Sequence, residues 1–74
     1  MFSYLIEFEG YRARVERDRE GMFYGRVLEI DDVVNFKAST MRQVESKFAT
    51  ALEYYFARCK EQGVDPQRPV NMGF

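Results

Sequence analysis

Hydrophobic and polar side chains alternate along the first part of the chain. In FSYLIEF (residues 2–8), every second residue from Phe2 onward is aromatic or aliphatic. In YRARVER (residues 11–17), Tyr11, Ala13 and Val15 alternate with charged residues. Because successive residues of a strand point to opposite faces, both segments are predicted to be half-buried β-strands.

Gly10 lies where the apolar positions change from even to odd numbers. One inserted residue exchanges the two faces of a strand, so this shift indicates either a β-bulge or a two-residue hairpin made by Glu9 and Gly10. We favour the bulge, because the hairpin would have to connect two short strands. The prediction is therefore a first strand that is bulged at Gly10.

Two further strands are predicted before the middle of the chain. The polar turn DREG (residues 18–21) leads to MFYGRVLEI, whose apolar residues occupy both faces of a strand. Asp31 and Asp32 make the next turn, and VVNF (residues 33–36) is predicted to be a short β-branched strand. Two apolar faces indicate either that both faces are covered or that an irregular twist buries them.

One long helix is predicted to follow. Thr40 and Gln43 fit a capping box, Ser39 is an alternative N-cap, and Gly63 is typical of the residue after a helix. Between them, apolar residues recur at three- and four-residue steps, which is the stripe of a helix that packs on a sheet. The stripe consists of Met41, Val44, Phe48, Leu52, Tyr55, Phe56 and Cys59.

These elements predict an α+β fold, in which an antiparallel sheet of three to four strands carries one long helix on one face. We expect a single domain over residues 1–63. Residues 64–74 contain Pro66 and Pro69 and are predicted to form an exit segment or linker, because proline ends a helix and disfavours a central strand.

Length and charge limit the classes of function. A chain of 74 residues buries only about 60% of its unfolded surface, so a homodimer or larger assembly is expected. The net charge of −1 argues against binding nucleic acid or membranes by bulk electrostatics. One cysteine and no long apolar run predict neither an internal disulfide nor a membrane span, and the expected location is cytoplasmic.

The absence of histidine excludes imidazole-based catalysis and mixed Cys/His zinc sites. Asp31 and Asp32, with Glu29 nearby, could bind a divalent cation, but no loop motif accompanies them and we interpret them as a solvated turn. Cys59 lies on the apolar stripe and is predicted to be a core residue. We therefore expect no enzymatic activity, no metal and no cofactor.

A basic strand face is the clearest candidate for binding. Arg12, Arg14 and Arg26 are predicted to share it with Tyr24, and acidic residues are interleaved with them. Such a face could contact RNA or an acidic partner. It could equally be an exposed surface of mixed charge.

Three segments, taken in order, resemble the HicB antitoxins of bacterial toxin–antitoxin pairs over about residues 8–70. They are FEGYRARVERDREGMFYGRVLEIDDVVNF, KAST and FATALEYYFARCKEQGVDPQRPV. The specific motifs are aromatic-x-Gly-Tyr (residues 8–11), GRVLEIDDVVNF (residues 25–36) and YYFARCKEQGVDPQRP (residues 54–69). The resemblance implies a partial ribonuclease H-like fold that lacks the catalytic carboxylates of ribonuclease H.

The resemblance also implies a function. HicB-like domains neutralise HicA, a small basic mRNA-cleaving toxin, by covering its active site. This chain departs from the family where Lys37-Ala38-Ser39-Thr40 replaces a glycine and an acidic residue before the capping threonine. The family usually continues into a DNA-binding module after the proline-containing segment, so we expect an antitoxin domain without its own DNA-binding module. The alternative is an orphan relative that acts as a homo-oligomeric scaffold or small-ligand-binding protein.

The residues expected to contact the toxin are outward polar positions, one aromatic anchor and acidic groups that would attract a basic partner. They are Arg12, Arg14, Glu16, Tyr24, Arg26, Glu29, Asp31 and Asp32.

Overall fold

Residues 2–69 are described by the computed structural model, in which four strands come before one helix. The elements are β1 (Phe2–Phe8), β2 (Tyr11–Arg17), β3 (Phe23–Val27), β4 (Asn35–Ala38) and α1 (Met41–Gln62). Each strand pairs antiparallel with its neighbour in sequence, in the order β1-β2-β3-β4. The helix packs against this sheet, which confirms the predicted α+β class.

The predicted bulge at Gly10 is wrong, because β1 and β2 are joined by a two-residue hairpin. Phe8 pairs directly with Tyr11, and the loop residues Glu9 and Gly10 have φ angles of 51° and 85°. Two consecutive left-handed residues form the turn whose twist matches that of a hairpin. Cross-strand partners point to the same face, so the change of parity reflects a reversal of the chain and not an inserted residue.

The polar turn between β2 and β3 is organised by one side chain. The Asp18 carboxylate accepts hydrogen bonds from the backbone N–H groups of Glu20 and Met22, each at 2.9 Å. An aspartate that binds backbone groups a few residues on is a common way to stabilise a turn. The predicted turn is confirmed.

The third and fourth strands differ from their predicted bounds. After β3 the Leu28 N–H donates to the Arg12 carbonyl at 2.8 Å, and Glu29 then adopts a left-handed φ of 68°. This turn directs Ile30 towards the core, where it packs against the buried cluster. β4 begins at Asn35, two residues later than the predicted start at Val33, which is 67% exposed.

The helix begins and ends where its caps predict. The Thr40 hydroxyl accepts a hydrogen bond from the Gln43 N–H at 3.3 Å, while the Gln43 side chain accepts from the hydroxyl and N–H of Ser39. Gly63 has a left-handed φ of 70°, and its N–H bonds the Lys60 carbonyl at 3.2 Å. The Val64 N–H bonds the Cys59 carbonyl at 3.0 Å, which completes a Schellman motif.

The apolar stripe of the helix forms the core with the inward faces of β1 to β4. Its buried members are Val44, Phe48, Leu52, Tyr55 and Cys59. Phe56 is half-buried, and Met41 is 54% exposed. The stripe therefore starts at Val44, because Met41 is the first helical residue and the small core cluster at that end includes only Val44 from the helix.

An aromatic stack links the sheet to the helix. Phe36 lies opposite Gly25, and its ring occupies the space that a Cβ atom at Gly25 would fill. On its other side the Phe36 ring stacks on Phe48, with centroids 5.3 Å apart and 20° between the planes. Phe48 also meets the edge of Phe8 at 6.2 Å. Position 25 thus requires glycine because of this close approach.

Replacing Gly25 with alanine should therefore destabilise the protein, although alanine normally suits a strand better than glycine. The new methyl group would overlap the Phe36 ring, and overpacking of this kind costs about 1–3 kcal/mol. Urea denaturation measures the free energy of unfolding. In the Gly25→Ala background, Phe36→Leu should cost less than it does in the wild type, because the clash is relieved. Unchanged stability of Gly25→Ala would contradict this account of the packing.

Candidate functional site

The face of the sheet opposite the helix carries an array of exposed side chains, which we call the outer sheet face. Strand alternation places these residues there, and all of them are exposed. From β1 to β4 they are Ser3, Leu5 and Glu7; Arg12, Arg14 and Glu16; Tyr24 and Arg26; and Asn35 and Lys37.

The strand register arranges the outer sheet face in rows that cross the sheet. One row runs Leu5, Arg14, Arg26, Asn35, and the row beside it runs Ser3, Glu16, Tyr24, Lys37. Directly opposite residues of an antiparallel pair have Cβ atoms about 4.5–5.5 Å apart, so members of a row are close neighbours. The predicted residues Arg14, Glu16, Tyr24 and Arg26 thus form one cluster.

Glu29 joins this cluster through Arg12. The Arg12 guanidinium donates two hydrogen bonds to the Glu29 carboxylate, at 2.7 Å from Nη2 and 3.2 Å from Nε. The two-point geometry is the one that arginine and carboxylate prefer. The interaction raises the pKa of Arg12, mainly through the hydrogen bond. The positive charge of Arg12 is therefore balanced by Glu29.

Arg14 and Arg26 are arranged differently. They lie directly opposite each other on β2 and β3, and within residues 2–69 neither makes an ion pair or a side-chain hydrogen bond. Beside them runs a shallow groove of about 530 Å³ that is also lined by Tyr24, Leu28 and Asn35. The groove, which Glu16 and Glu29 also line, thus combines two arginines that have no ion-pair partner among residues 2–69 with an aromatic ring, an aliphatic side chain and an amide.

Tyr24 is the exposed aromatic residue of this cluster. Its side chain is 47% exposed. The negative charge of Asp18 raises the pKa of Tyr24, since it disfavours the phenolate form. A side-chain hydrogen bond with Asp18 also favours the protonated hydroxyl.

Asp31 and Asp32 do not join the outer sheet face. Their backbone N–H groups donate to the side-chain oxygen of Gln67 at 2.5 and 3.3 Å. The Asp32 carboxylate accepts a hydrogen bond from the Tyr55 hydroxyl at 2.7 Å. Both residues are exposed. Their hydrogen bonds connect the loop after β3 to the helix and to the segment that follows the helix.

Gln67 is the centre of a polar network that sequence patterns did not reveal. Besides its side-chain contacts, its backbone N–H donates to the Tyr55 hydroxyl at 2.9 Å, and its carbonyl accepts from the Tyr11 hydroxyl at 2.5 Å. Residues 64–69, predicted as part of an exit segment, are thereby held against the domain. Residues 70–74 of that prediction lie outside the described residues.

Burial raises the pKa of Tyr55 to about 12. The N–H of Gln67 opposes this shift because it favours the phenolate, whereas Asp32 adds to it through a hydrogen bond and its negative charge. The Tyr55 hydroxyl therefore remains a donor to Asp32 throughout the physiological pH range.

No group of three or more His, Cys, Asp or Glu residues that could hold a metal ion occurs among residues 2–69. Cys59 is a buried free thiol, as predicted. No helix in the described part of the chain is long and apolar enough to cross a lipid bilayer.

Comparison of the chain with protein-family models, curated proteins and solved structures gave no match.

Gln67→Ala should loosen the polar network. It removes the acceptor of two backbone N–H groups, and lost hydrogen bonds of this kind cost about 1 kcal/mol. We expect lower stability in urea and faster hydrogen exchange at Asp31. Gln62→Ala is the matched control, because Gln62 is exposed and makes no side-chain hydrogen bond in the described structure. Equal effects of the two substitutions would contradict a special role for Gln67.

Tyr55 should make stability fall at high pH. Its pKa is raised from 10.0 to about 12 on folding, so the stabilisation is complete below the unfolded value and is lost as the pH rises towards the folded one. Tyr55→Phe should reduce this loss, while the other tyrosines contribute to both proteins. Urea denaturation across this pH range measures how steeply the free energy of unfolding falls with pH in the wild type and in Tyr55→Phe. Identical slopes would show that Tyr55 does not titrate as described.

Proposed function

We propose that this chain is a non-enzymatic binding domain of the HicB antitoxin type, which neutralises a small basic HicA-type ribonuclease by covering its active site. The observation that carries the proposal is the outer sheet face. The helix takes up one side of the sheet, and the other side presents Tyr24, Arg14 and Arg26 to solvent.

The composition of this face suits a protein interface. Tyrosine and arginine are enriched among the residues that dominate binding energy, because each offers a large rigid contact surface and directional hydrogen bonds. Tyr24 and Arg26 lie on the same strand, two residues apart, and so project from the same face. A partner can therefore contact both from one side.

A finer classification as a partial ribonuclease H-like, HicB-like fold is part of the same proposal. A four-strand antiparallel sheet followed by a long helix is consistent with it. The departure at Lys37-Ala38-Ser39-Thr40 does not prevent the expected local structure. Ala38 ends β4 in the core, and Thr40 caps the helix.

Acidic groups would attract the basic toxin before contact. Asp31 and Asp32 are exposed on the loop beside the sheet, where they would act through their field and not as anchors. We propose no direct contact with DNA. The helix that the structure describes buries its apolar stripe against the sheet, and a recognition helix must be free to enter a groove.

Self-association stays a prediction. Within the described sheet, β1 and β4 are the edge strands, and free edges can pair with another copy. Sedimentation equilibrium tests this separately from toxin binding, and a monomer at high concentration would contradict it.

The proposed function is tested with the protein encoded beside the gene for this chain. We expect the two proteins to bind and the ribonuclease activity of the partner to be suppressed. Tyr24→Ala should weaken binding about tenfold or more, as expected for an aromatic anchor. Tyr54→Ala is the matched control, because Tyr54 is 74% exposed on the helix, and it should have no effect.

Binding of promoter DNA by this chain alone would contradict the proposal, and so would equal effects of the two tyrosine substitutions. If the folded chain binds no such toxin, the alternative of a homo-oligomeric scaffold or small-ligand-binding protein is favoured.

A further inference from the structure

Two arginines of the outer sheet face have no ion-pair partner in the described part of the chain, whereas their neighbour has one. Arg12 on β2 is held by Glu29. Arg14, two residues further along the same strand, lies opposite Arg26, and the described residues provide neither of them with an ion pair. Their row continues to Leu5 on one side and Asn35 on the other, so it contains no acidic residue.

The proximity of Arg14 and Arg26 lowers the stability of the free protein. Like charges directly opposite each other on neighbouring strands destabilise a sheet. Both side chains are exposed, so the fold does not need them for packing. Two cations that residues 2–69 leave unpaired are suited to an external anion, which would remove the repulsion on binding.

We infer that Arg14 and Arg26 form a carboxylate-binding subsite, at which the protein partner of the outer sheet face presents an acidic side chain. Guanidinium groups bind carboxylates in a planar two-point geometry. The adjoining groove supplies the Asn35 amide and the Tyr24 hydroxyl as further polar groups, with Leu28 as an apolar contact. Glu16 and Glu29 also line the groove, so the subsite suits a single acidic residue within an otherwise uncharged segment.

RNA fits this surface less well than an acidic protein segment. Glu7, Glu16 and Glu29 lie on or beside the outer sheet face. They would repel the successive phosphates of a nucleic acid more strongly than the single carboxylate of an otherwise uncharged segment. Single-stranded nucleic acids are usually bound by several stacking aromatic residues along a continuous basic groove. Among the exposed large hydrophobic side chains on this face, Tyr24 is the aromatic one and Leu5 the other.

This inference rests on the proposed function and makes it more specific. A toxin that is basic overall would have to place an acidic side chain opposite Arg14 and Arg26. Complementarity at that point would then select the correct partner by local charge, because a lysine or arginine there would be rejected.

The first test uses the free chain. Arg14→Gln and Arg26→Gln should each raise the melting temperature by about 1–4 °C at low salt, since they relieve the repulsion. The gain should shrink in molar salt, which screens exposed charges. Arg12→Gln is the matched control and should not raise the melting temperature. Lower melting temperatures for both Arg14→Gln and Arg26→Gln would overturn the inference, because they would show a structural role.

The second test follows the side-chain Nε–H signals of Arg14 and Arg26 by NMR. A short threonine-rich peptide with one central glutamate should shift both signals, and its glutamine counterpart should not. No response to the glutamate peptide, or an equal response to the glutamine peptide, would overturn the inference. A stronger response to a short oligouridylate would assign the pair to RNA, and shifts that depend on chain concentration alone would assign it to a second copy; either result would overturn it.

The third test separates this inference from the proposed function. The Arg14→Gln/Arg26→Gln protein should bind the toxin about tenfold or more weakly than the wild type, as for the loss of a charged contact. If it binds equally well, the inference fails and the proposed function stands. If the wild type binds no toxin while the glutamate peptide still shifts both arginines, the proposed function fails and the carboxylate subsite stands.

Discussion

The contact between Gly25, Phe36 and Phe48 sets the geometry on which the rest of the domain depends. The Phe36 ring lies in the space above Gly25 and stacks on the helix through Phe48. It packs against both buried clusters of the core. A side chain at position 25 would force this ring, and with it the helix, away from the sheet. Because the helix packs on one face of the sheet, the outer sheet face is exposed to solvent.

That division explains where binding chemistry can be located. In each strand, one set of alternate residues is committed to the core, so substitutions there are limited by packing. The other set is exposed and can carry charges at little cost. The register brings Arg14 and Arg26 together without a counter-charge, while Arg12 is paired with Glu29. Within the described residues, the same surface therefore contains one complete ion pair and one pair of arginines without a counter-charge.

The polar network around Gln67 provides hydrogen-bond partners for polar groups at the edge of the small core. Tyr11 and Tyr55 are buried, and a buried tyrosine needs a partner for its hydroxyl. The backbone of Gln67 supplies both partners, and its side chain holds the loop that contains Asp31 and Asp32. Gln67, which lies beyond the helix, is thus hydrogen-bonded to the sheet, the helix and the loop after β3, and belongs to the folded domain.

Local patterns in the sequence were sufficient for the elements themselves. The caps at Thr40 and Gly63 and the apolar stripe predicted the helix, because these signals depend on residues close together in the chain. The alternation of apolar residues likewise predicted strand structure over residues 2–8 and 11–17, although not that these are two strands paired through a hairpin. A change of parity could not separate a bulge from a hairpin at Gly10, since both exchange the apolar positions. Only the tertiary structure decided that Arg14 faces Arg26, that Glu29 pairs with Arg12, and that Asp32 contacts Tyr55. Strand register and loop direction depend on turn geometry and on contacts between residues far apart in the chain, which no local pattern contains.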